Sequence, residues 1–100
     1  MKIRILDDAK LDLINGFNFY ENQEVGVGQY FLDCLYSDID SLSIYAGIHP
    51  KKFGTYYWMS SKRFPYAVYY TIDNSLISIH AIMDCRRDPQ HLDRRLKDYL

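Results

Sequence analysis

The segment Lys62–Pro89, with the sequence KRFPYAVYYTIDNSLISIHAIMDCRRDP, contains two runs in which every second residue is apolar. A polar turn at residues 73–75 separates the runs. Strict alternation on both sides of a short turn predicts an antiparallel β-hairpin with one buried face. We expect strands at about residues 62–72 and 76–85, with Pro65 near a strand start because proline cannot donate a ladder hydrogen bond. The predicted buried positions are Phe64, Tyr66, Val68, Tyr70 and Ile72 on the first strand and Ile77, Ile79, Ala81 and Met83 on the second.

Basic residues stand in pairs at both ends of this hairpin, Lys62-Arg63 before it and Arg86-Arg87 after it. The arginine side chain presents a planar fork of donors that matches a carboxylate or a phosphate. The hairpin therefore indicates a surface that binds an anionic or acidic partner. An ordinary solvated basic face is the alternative interpretation.

The overall composition is that of an ordinary globular protein. With 100 residues, 48% of them hydrophobic and 25% charged, the chain is expected to form one domain with its own core. It has no run of the ~18 apolar residues that a membrane span needs, and its start, MKIRILDDAK, lacks the apolar region of a signal peptide. Cys34 and Cys85 form no metal-binding motif. We therefore expect reduced cysteines, no metal, no cofactor and a cytoplasmic location.

Charge is distributed unevenly along the chain. Residues 1–50 carry three basic and eight acidic side chains, a net charge of −5, whereas residues 51–100 carry nine basic and five acidic ones, a net charge of +4. Such segregation steers a protein toward an anionic partner while its acidic side faces away.

Upstream of the hairpin, the sequence predicts one strand and two helices. Lys2–Leu6 alternates and predicts a strand, and Asp7 or Asp8 is expected to cap the helix that follows. In this helix Gly16 is expected to cost about 1 kcal/mol relative to alanine. Residues 21–28 predict a break. The second helix has an apolar stripe formed by Val27, Phe31, Cys34, Leu35, Ile39 and Leu42.

The remaining segments complete the predicted fold. Residues 47–54 predict a loop, Thr55–Ser60 predicts a strand, and Asp88 and Pro89 predict the start of a final helix with Leu92, Leu96 and Tyr99 on one stripe. The predicted order is an N-terminal strand, a helical hairpin, a three-stranded antiparallel meander and a short C-terminal helix. This is an α+β fold in which the N-terminal strand forms an edge beside the meander.

Two phrases of the sequence resemble those of the RelE/ParE toxin superfamily. One is RFPY at residues 63–66 followed by Val68-x-Tyr70, and the other is RRDP at residues 86–89, at the end of the last strand. Together with the predicted order of elements, the resemblance covers nearly the whole chain. These proteins are the toxins of type II toxin–antitoxin, or plasmid-stabilisation, systems. The resemblance is closer to the ParE-like members and implies a RelE/ParE-like fold.

The resemblance implies a growth-inhibiting toxin that is neutralised by a cognate antitoxin. It favours a ParE-like toxin, which inhibits DNA gyrase by binding and is not itself an enzyme. The alternatives are a RelE-like ribosome-dependent mRNA endoribonuclease, and a degenerate member that binds an antitoxin without toxicity. Both a homodimer and a heterotetramer with the antitoxin are compatible with the family.

The candidate site residues form three groups. The basic and aromatic residues that could bind the target are Lys51, Lys52, Tyr57, Trp58, Lys62, Arg63, Arg86 and Arg87. Antitoxin contact is expected at Phe19, Tyr20 and Tyr30, which exceed the aromatic surface that one small core needs. A nuclease would use Arg63, Arg86 and Arg87 to stabilise charge and His80 to transfer a proton.

No acid–base pair stands out beside these cations. His80 lies in the middle of a strand, where a structural or surface role is the alternative to catalysis. His49 and His91 are expected at the surface, and Tyr66, Tyr69 and Tyr70 in the core or on the sheet. We expect Asp84 to form an ion pair with Arg86 rather than to act as a general base.

Overall fold

The computed structural model describes residues 1–52, 54–86, 90 and 94–96. The elements are β1 (Lys2–Ile5), α1 (Asp7–Gln23), α2 (Val27–Asp40), α3 (Leu42–Tyr45), β2 (Lys51–Lys52), β3 (Tyr56–Ser60), β4 (Tyr66–Asp73) and β5 (Leu76–Asp84). The predicted α+β fold is confirmed. Of the residues predicted for the final helix, Leu96 is described, whereas Asp88, Pro89, Leu92 and Tyr99 lie outside the described residues, as do Arg87 and His91.

All five strands form one sheet with the order β1-β5-β4-β3-β2. β1 is parallel to β5, and the other neighbours are antiparallel. The predicted N-terminal edge strand is thus confirmed. The antiparallel part is larger than the predicted meander, because Lys51 and Lys52 pair with Tyr57 and Tyr56 within the segment predicted to be a loop. Backbone pairing with β3 makes these two lysines extended despite their weak strand propensity.

The hairpin of β4 and β5 contains a β-bulge that breaks the predicted alternation. Tyr69 lies opposite Ala81 and Tyr70 opposite Ile79, so His80 is an extra residue on β5. An extra residue moves all later side chains to the opposite face. The prediction that Ala81 and Met83 share a face with Ile77 and Ile79 is therefore wrong. β4 also begins at Tyr66, four residues later than expected, with Pro65 directly before it.

The helices cover one face of the sheet and form the main core with it. Its buried residues are Ala9, Leu13, Tyr20, Phe31, Leu35, Ile39, Leu42, Met59, Tyr66, Val68, Tyr70, Ile77, Ile79 and Ile82. A smaller core lies on the opposite face and consists of Tyr56, Ala67, Tyr69, Ala81, Met83 and Leu96, with Trp58 packed against it. In the described part of the chain, no helix is long and apolar enough to cross a membrane.

The ends of α1 differ from the prediction. Leu6 occupies the N-cap position, so the expectation that Asp7 or Asp8 caps α1 is wrong. Both aspartates lie in the first turn instead, where the helix dipole favours negative charge. α1 also continues past Glu21 as far as Gln23. The Glu21 carboxylate then caps α2, accepting from the N–H groups of Gly26 at 3.0 Å and Gly28 at 2.9 Å.

α1 and α2 approach each other closely at Gly16. A Cβ atom at this position would lie 2.4 Å from Cζ of Phe31, whose side chain is fully buried. This distance is far below van der Waals contact, so only glycine fits the observed packing. Gly16 therefore lowers the helix propensity of α1 but allows the ring of Phe31 to pack closely against it.

Candidate functional site

An aromatic cluster lies where the helical hairpin meets the start of β4. Its members are Phe19, Tyr20, Tyr30, Phe31, Phe64 and Tyr66, and their neighbouring ring centroids are 4.9–6.2 Å apart. These separations are those of attractive edge-to-face and tilted aromatic pairs. Helix α1 contributes two rings, helix α2 two, and the segment that enters β4 the other two.

The cluster has a buried centre and an exposed rim. Tyr20, at 8% exposure, and Phe31 belong to the main core. Phe19 and Tyr30 keep 48% and 47% of their surface exposed. Of the three residues expected to contact an antitoxin, the structure thus places Phe19 and Tyr30 on the surface and Tyr20 beneath them.

Arg63 lies at one side of this rim. Its Nη1 donates a hydrogen bond to the Tyr30 hydroxyl at 3.2 Å, which raises the pKa of the guanidinium. The turn that carries Arg63 is held by the buried carboxylate of Asp38 on α2. Asp38 Oδ2 accepts from Ser61 Oγ at 2.7 Å and from the Lys62 N–H at 3.3 Å. The backbone at Lys62 is therefore fixed, while its side chain remains exposed.

Arg86 lies near the same aromatic cluster. Its Nε and Nη2 donate to the two carboxylate oxygens of Asp84 at 2.9 and 2.8 Å, which confirms the predicted ion pair. The hydrogen bonds to Asp84 are the main reason why the pKa of Arg86 is raised, and Tyr20 and Tyr66 add smaller electrostatic contributions. Arg63 and Arg86 thus flank one aromatic surface. Arg87 lies outside the described residues.

The other predicted target-binding residues lie elsewhere on the sheet. Lys51 Nζ is 4.9 Å from the centroid of the Tyr57 ring, and that ring stacks on Tyr70 at 5.2 Å. Lys52 lies beside Tyr56 on the β2 edge, and Trp58 packs against the smaller core on the opposite face. These four residues are therefore not adjacent to the pair of arginines.

His49 was expected at the surface and is instead part of a hydrogen-bonded group. Its Nδ1 lies 2.5 Å from the Tyr70 hydroxyl, which also accepts from the Gly47 N–H at 3.0 Å. Burial lowers the pKa of His49 and raises that of Tyr70. The sequence signal for this contact is weak, since it consists only of a buried tyrosine that needs a hydrogen-bond partner.

His80 is separated from the arginines by the sheet. Its Nε2 lies 2.9 Å from Thr71 Oγ1, and its ring packs edge-on against Tyr56, a member of the smaller core. Burial is the main cause that lowers the pKa of His80. Arg63 by contrast contacts Tyr30 on the helical side. Among the described residues, the structure therefore does not bring His80 together with Arg63 and Arg86.

Comparison with known proteins identifies the fold. A scan against models of protein families finds no match, and neither does a search of curated proteins. Among solved structures, a chain of "Chromosomal ParDE TA system from P. aeruginosa" is similar with a TM-score of 0.78 and 15% sequence identity. The similarity covers 84% of this chain and 95% of that chain. At this identity the likeness shows the fold, which is the RelE/ParE-like fold predicted from the sequence.

Sequence reasoning missed Asp38 as a residue that positions the site. Asp38 follows Leu35 by three residues and Cys34 by four, so it lies next to the apolar stripe of α2. A carboxylate at such a position is expected to be buried and to need donors. That spacing is the signal that could have identified it.

In the described residues, no group of three or more histidine, cysteine, aspartate or glutamate side chains is arranged to hold a metal ion.

Proposed function

We propose that this chain is the toxin of a type II toxin–antitoxin pair, that it acts in the cytoplasm, and that it inhibits DNA gyrase by binding. The observation that carries the proposal is the shared fold with a chain of a ParDE toxin–antitoxin system, over 84% of this chain and 95% of the other. One fold can serve different targets, so the choice of target depends on the surface rather than on the fold.

The surface formed by the aromatic cluster and its two arginines supports a binding role. Exposed rings such as Phe19 and Tyr30 supply rigid contact area, and Arg63 and Arg86 supply directional donors. Aromatic residues and arginine are the side chains that most often dominate binding energy at protein interfaces. Such a surface requires no acid–base pair.

A shared surface would link neutralisation to inhibition. The sequence predicts that Tyr30 contacts the antitoxin and that Arg63 contacts the target, and Arg63 Nη1 donates a hydrogen bond to the Tyr30 hydroxyl at 3.2 Å. A partner that covers Tyr30 must also alter the surroundings of Arg63. We therefore propose that the antitoxin contacts Phe19, Tyr30 and the rim of Tyr20, and that it competes with the target for Arg63.

A ribosome-dependent endoribonuclease is the second candidate, and one observation favours it. The His49 imidazole, hydrogen-bonded to Tyr70, lies in the loop that leads to the cationic Lys51. A neutral histidine and a nearby lysine are groups that RNA cleavage can use for proton transfer and charge stabilisation. In this case His49 rather than His80 would take part in catalysis.

The test is to express the chain without an antitoxin and to follow DNA and protein synthesis by pulse labelling. Early loss of DNA synthesis is expected, and the purified protein should inhibit gyrase supercoiling. Arg63→Gln should weaken inhibition about tenfold or more, because it removes a charged hydrogen-bonding group from the interface. Arg94→Gln, an exposed arginine of equal charge, is the matched control.

Other outcomes would contradict gyrase inhibition. If protein synthesis stops first and translated messages are cut, the endoribonuclease is correct, and His49→Asn should abolish cutting while the chain stays folded. If growth continues unaffected, the chain is the degenerate alternative that binds an antitoxin without toxicity. Sedimentation of the chain with and without its antitoxin would distinguish a homodimer from a heterotetramer.

A further inference from the structure

The sheet edge that carries β1 is covered along only part of its length. β1 pairs with Leu76–Ile79 at the beginning of β5, and the last backbone hydrogen bond of this row runs from Leu6 N to Ile79 O at 3.0 Å. β5 continues to Asp84. Within the described part of the chain, no strand lies beside residues 80–84 on this side. Such an edge offers backbone groups with which another strand can pair.

An ion pair binds two backbone groups of this edge. Asp12 Oδ2 accepts from the Ile82 N–H at 2.9 Å, and Arg95 Nη2 donates to the His80 carbonyl at 3.3 Å. The two side chains bind each other through Nη1–Oδ1 at 3.0 Å and Nη2–Oδ2 at 2.9 Å. In a parallel ladder, one residue of the neighbouring strand binds the same two groups, a C=O and an N–H two residues apart. The Asp12–Arg95 pair therefore takes the place of one residue of an additional strand.

A groove of about 510 Å³ adjoins the ion pair, between α1 and the edge of β5. Leu11, Phe19 and other apolar side chains form part of its lining. Its charged lining consists of the carboxylates of Asp8, Asp12 and Asp84 and the guanidinium of Arg95. Arg86 forms an ion pair with Asp84 at the border of the groove, so three carboxylates face two guanidinium groups. This excess of one negative charge complements an apolar segment that carries positive charge.

We propose that residues 80–84 of β5 form a strand-addition site that the Asp12–Arg95 pair keeps closed. Its occupant is an extended segment of a protein partner in which apolar and basic residues alternate. A basic residue is required because a partner that displaces Arg95 must not leave the Asp12 carboxylate without a cation. β1 is a segment of this kind: its sequence is KIRI, and Arg4 Nη2 reaches Ser78 Oγ on β5 at 3.1 Å. This site does not depend on gyrase or the ribosome being the target.

The experiment titrates the full chain with a capped peptide of the sequence KIRIL and follows the amide resonance of Ile82. Arg95→Gln removes the closing guanidinium and should bind the peptide about tenfold more tightly than the unmodified chain. Arg94→Gln changes the adjacent exposed arginine and should bind as the unmodified chain does. A peptide of the sequence EIEIL, which has the same alternation with negative charge, should not bind.

Each remaining outcome bears on the proposal. If Arg95→Gln does not fold, Asp12→Asn takes its place, because the asparagine amide oxygen still accepts from the Ile82 N–H. This variant lacks the carboxylate that attracts the basic residue. Its preference for KIRIL over EIEIL must therefore be smaller than that of the unmodified chain. No shift of Ile82 in any folded protein at about 1 mM peptide would overturn the proposal. Self-association of Arg95→Gln without peptide binding would assign the edge to a second copy of the chain and overturn it as well.

Discussion

At the residue scale, Gly16 shows how packing can outweigh helix propensity. Propensity alone favours alanine by about 1 kcal/mol. The added methyl group would overlap the buried ring of Phe31, and overpacking of this kind costs roughly 1–3 kcal/mol. We therefore expect Gly16→Ala to lower the free energy of unfolding by about 1 kcal/mol, measured by urea denaturation. The exposed Asn15→Ala on the same helix is the control, and a stabilised Gly16→Ala would show that Phe31 can move aside.

His49 makes stability depend on pH. Burial favours the neutral imidazole, so we assign Nδ1 as the acceptor of the Tyr70 hydroxyl proton, while the same hydroxyl oxygen accepts from the Gly47 N–H. Burial places the pKa of His49 below its ordinary value of 6.5. In the window below that value, the unfolded chain binds more protons than the native protein, and stability falls as the pH is lowered.

The measurement is the free energy of unfolding between about pH 7.5 and about pH 5. We expect it to decrease over this range, and the decrease should be smaller in His49→Asn. The pKa of His80 is also lowered, so His80→Asn should remove a further part of the dependence. Equal pH dependence in the unmodified chain and in His49→Asn would contradict the assignment of Nδ1 as an acceptor.

At the element scale, β5 shows where a period-two pattern ceases to be informative. The alternation of Ile77 and Ile79 placed the first half of the strand correctly in the main core. Beyond the bulge, apolar residues fill both faces, with Ile82 in the main core and Met83 in the smaller one. A strand buried on both faces has no alternation that could reveal an extra residue. Its register follows from pairing with β4, which the sequence of β5 alone does not contain.

Glu21 links the two helices of the hairpin. Its carboxylate accepts from two N–H groups at the start of α2, where the positive end of the helix dipole also favours negative charge. We expect Glu21→Ala to reduce the free energy of unfolding by about 1 kcal/mol, as the loss of a helix cap does. Glu24→Ala removes an exposed carboxylate from the same turn and serves as the control in the same thermal or urea measurement. An equal decrease in the free energy of unfolding in both variants would mean that negative charge near this turn, rather than the hydrogen bonds from Glu21, stabilises the start of α2.

At the scale of the whole molecule, the sequence predicted the fold more completely than the site. The order of elements follows from local periodicity, and from β1 to β5 the structure reproduces it with α3 and β2 added. The predicted C-terminal helix lies mostly outside the described residues and stays a prediction. The grouping of Arg63 and Arg86 around one aromatic cluster depends on contacts between α1, α2 and β4, which are distant in sequence. The same applies to the Asp12–Arg95 pair, whose members are 83 residues apart. Residue types therefore identified several participants, while only the tertiary structure gave their arrangement.

The smaller core makes Leu96 part of the folded unit. Leu96 is fully buried on the sheet face opposite the helices, and its carbonyl accepts from the Tyr56 hydroxyl at 3.1 Å. Replacing a fully buried leucine by alanine typically costs about 2–5 kcal/mol, because apolar contacts are lost and a cavity remains. We expect Leu96→Ala to cost as much as Leu35→Ala in the main core, and Leu11→Ala, which is 54% exposed, to cost much less. Unfolding in urea, monitored by circular dichroism, measures all three. A cost for Leu96→Ala close to that of Leu11→Ala would mean that the sheet is stable without its second cover.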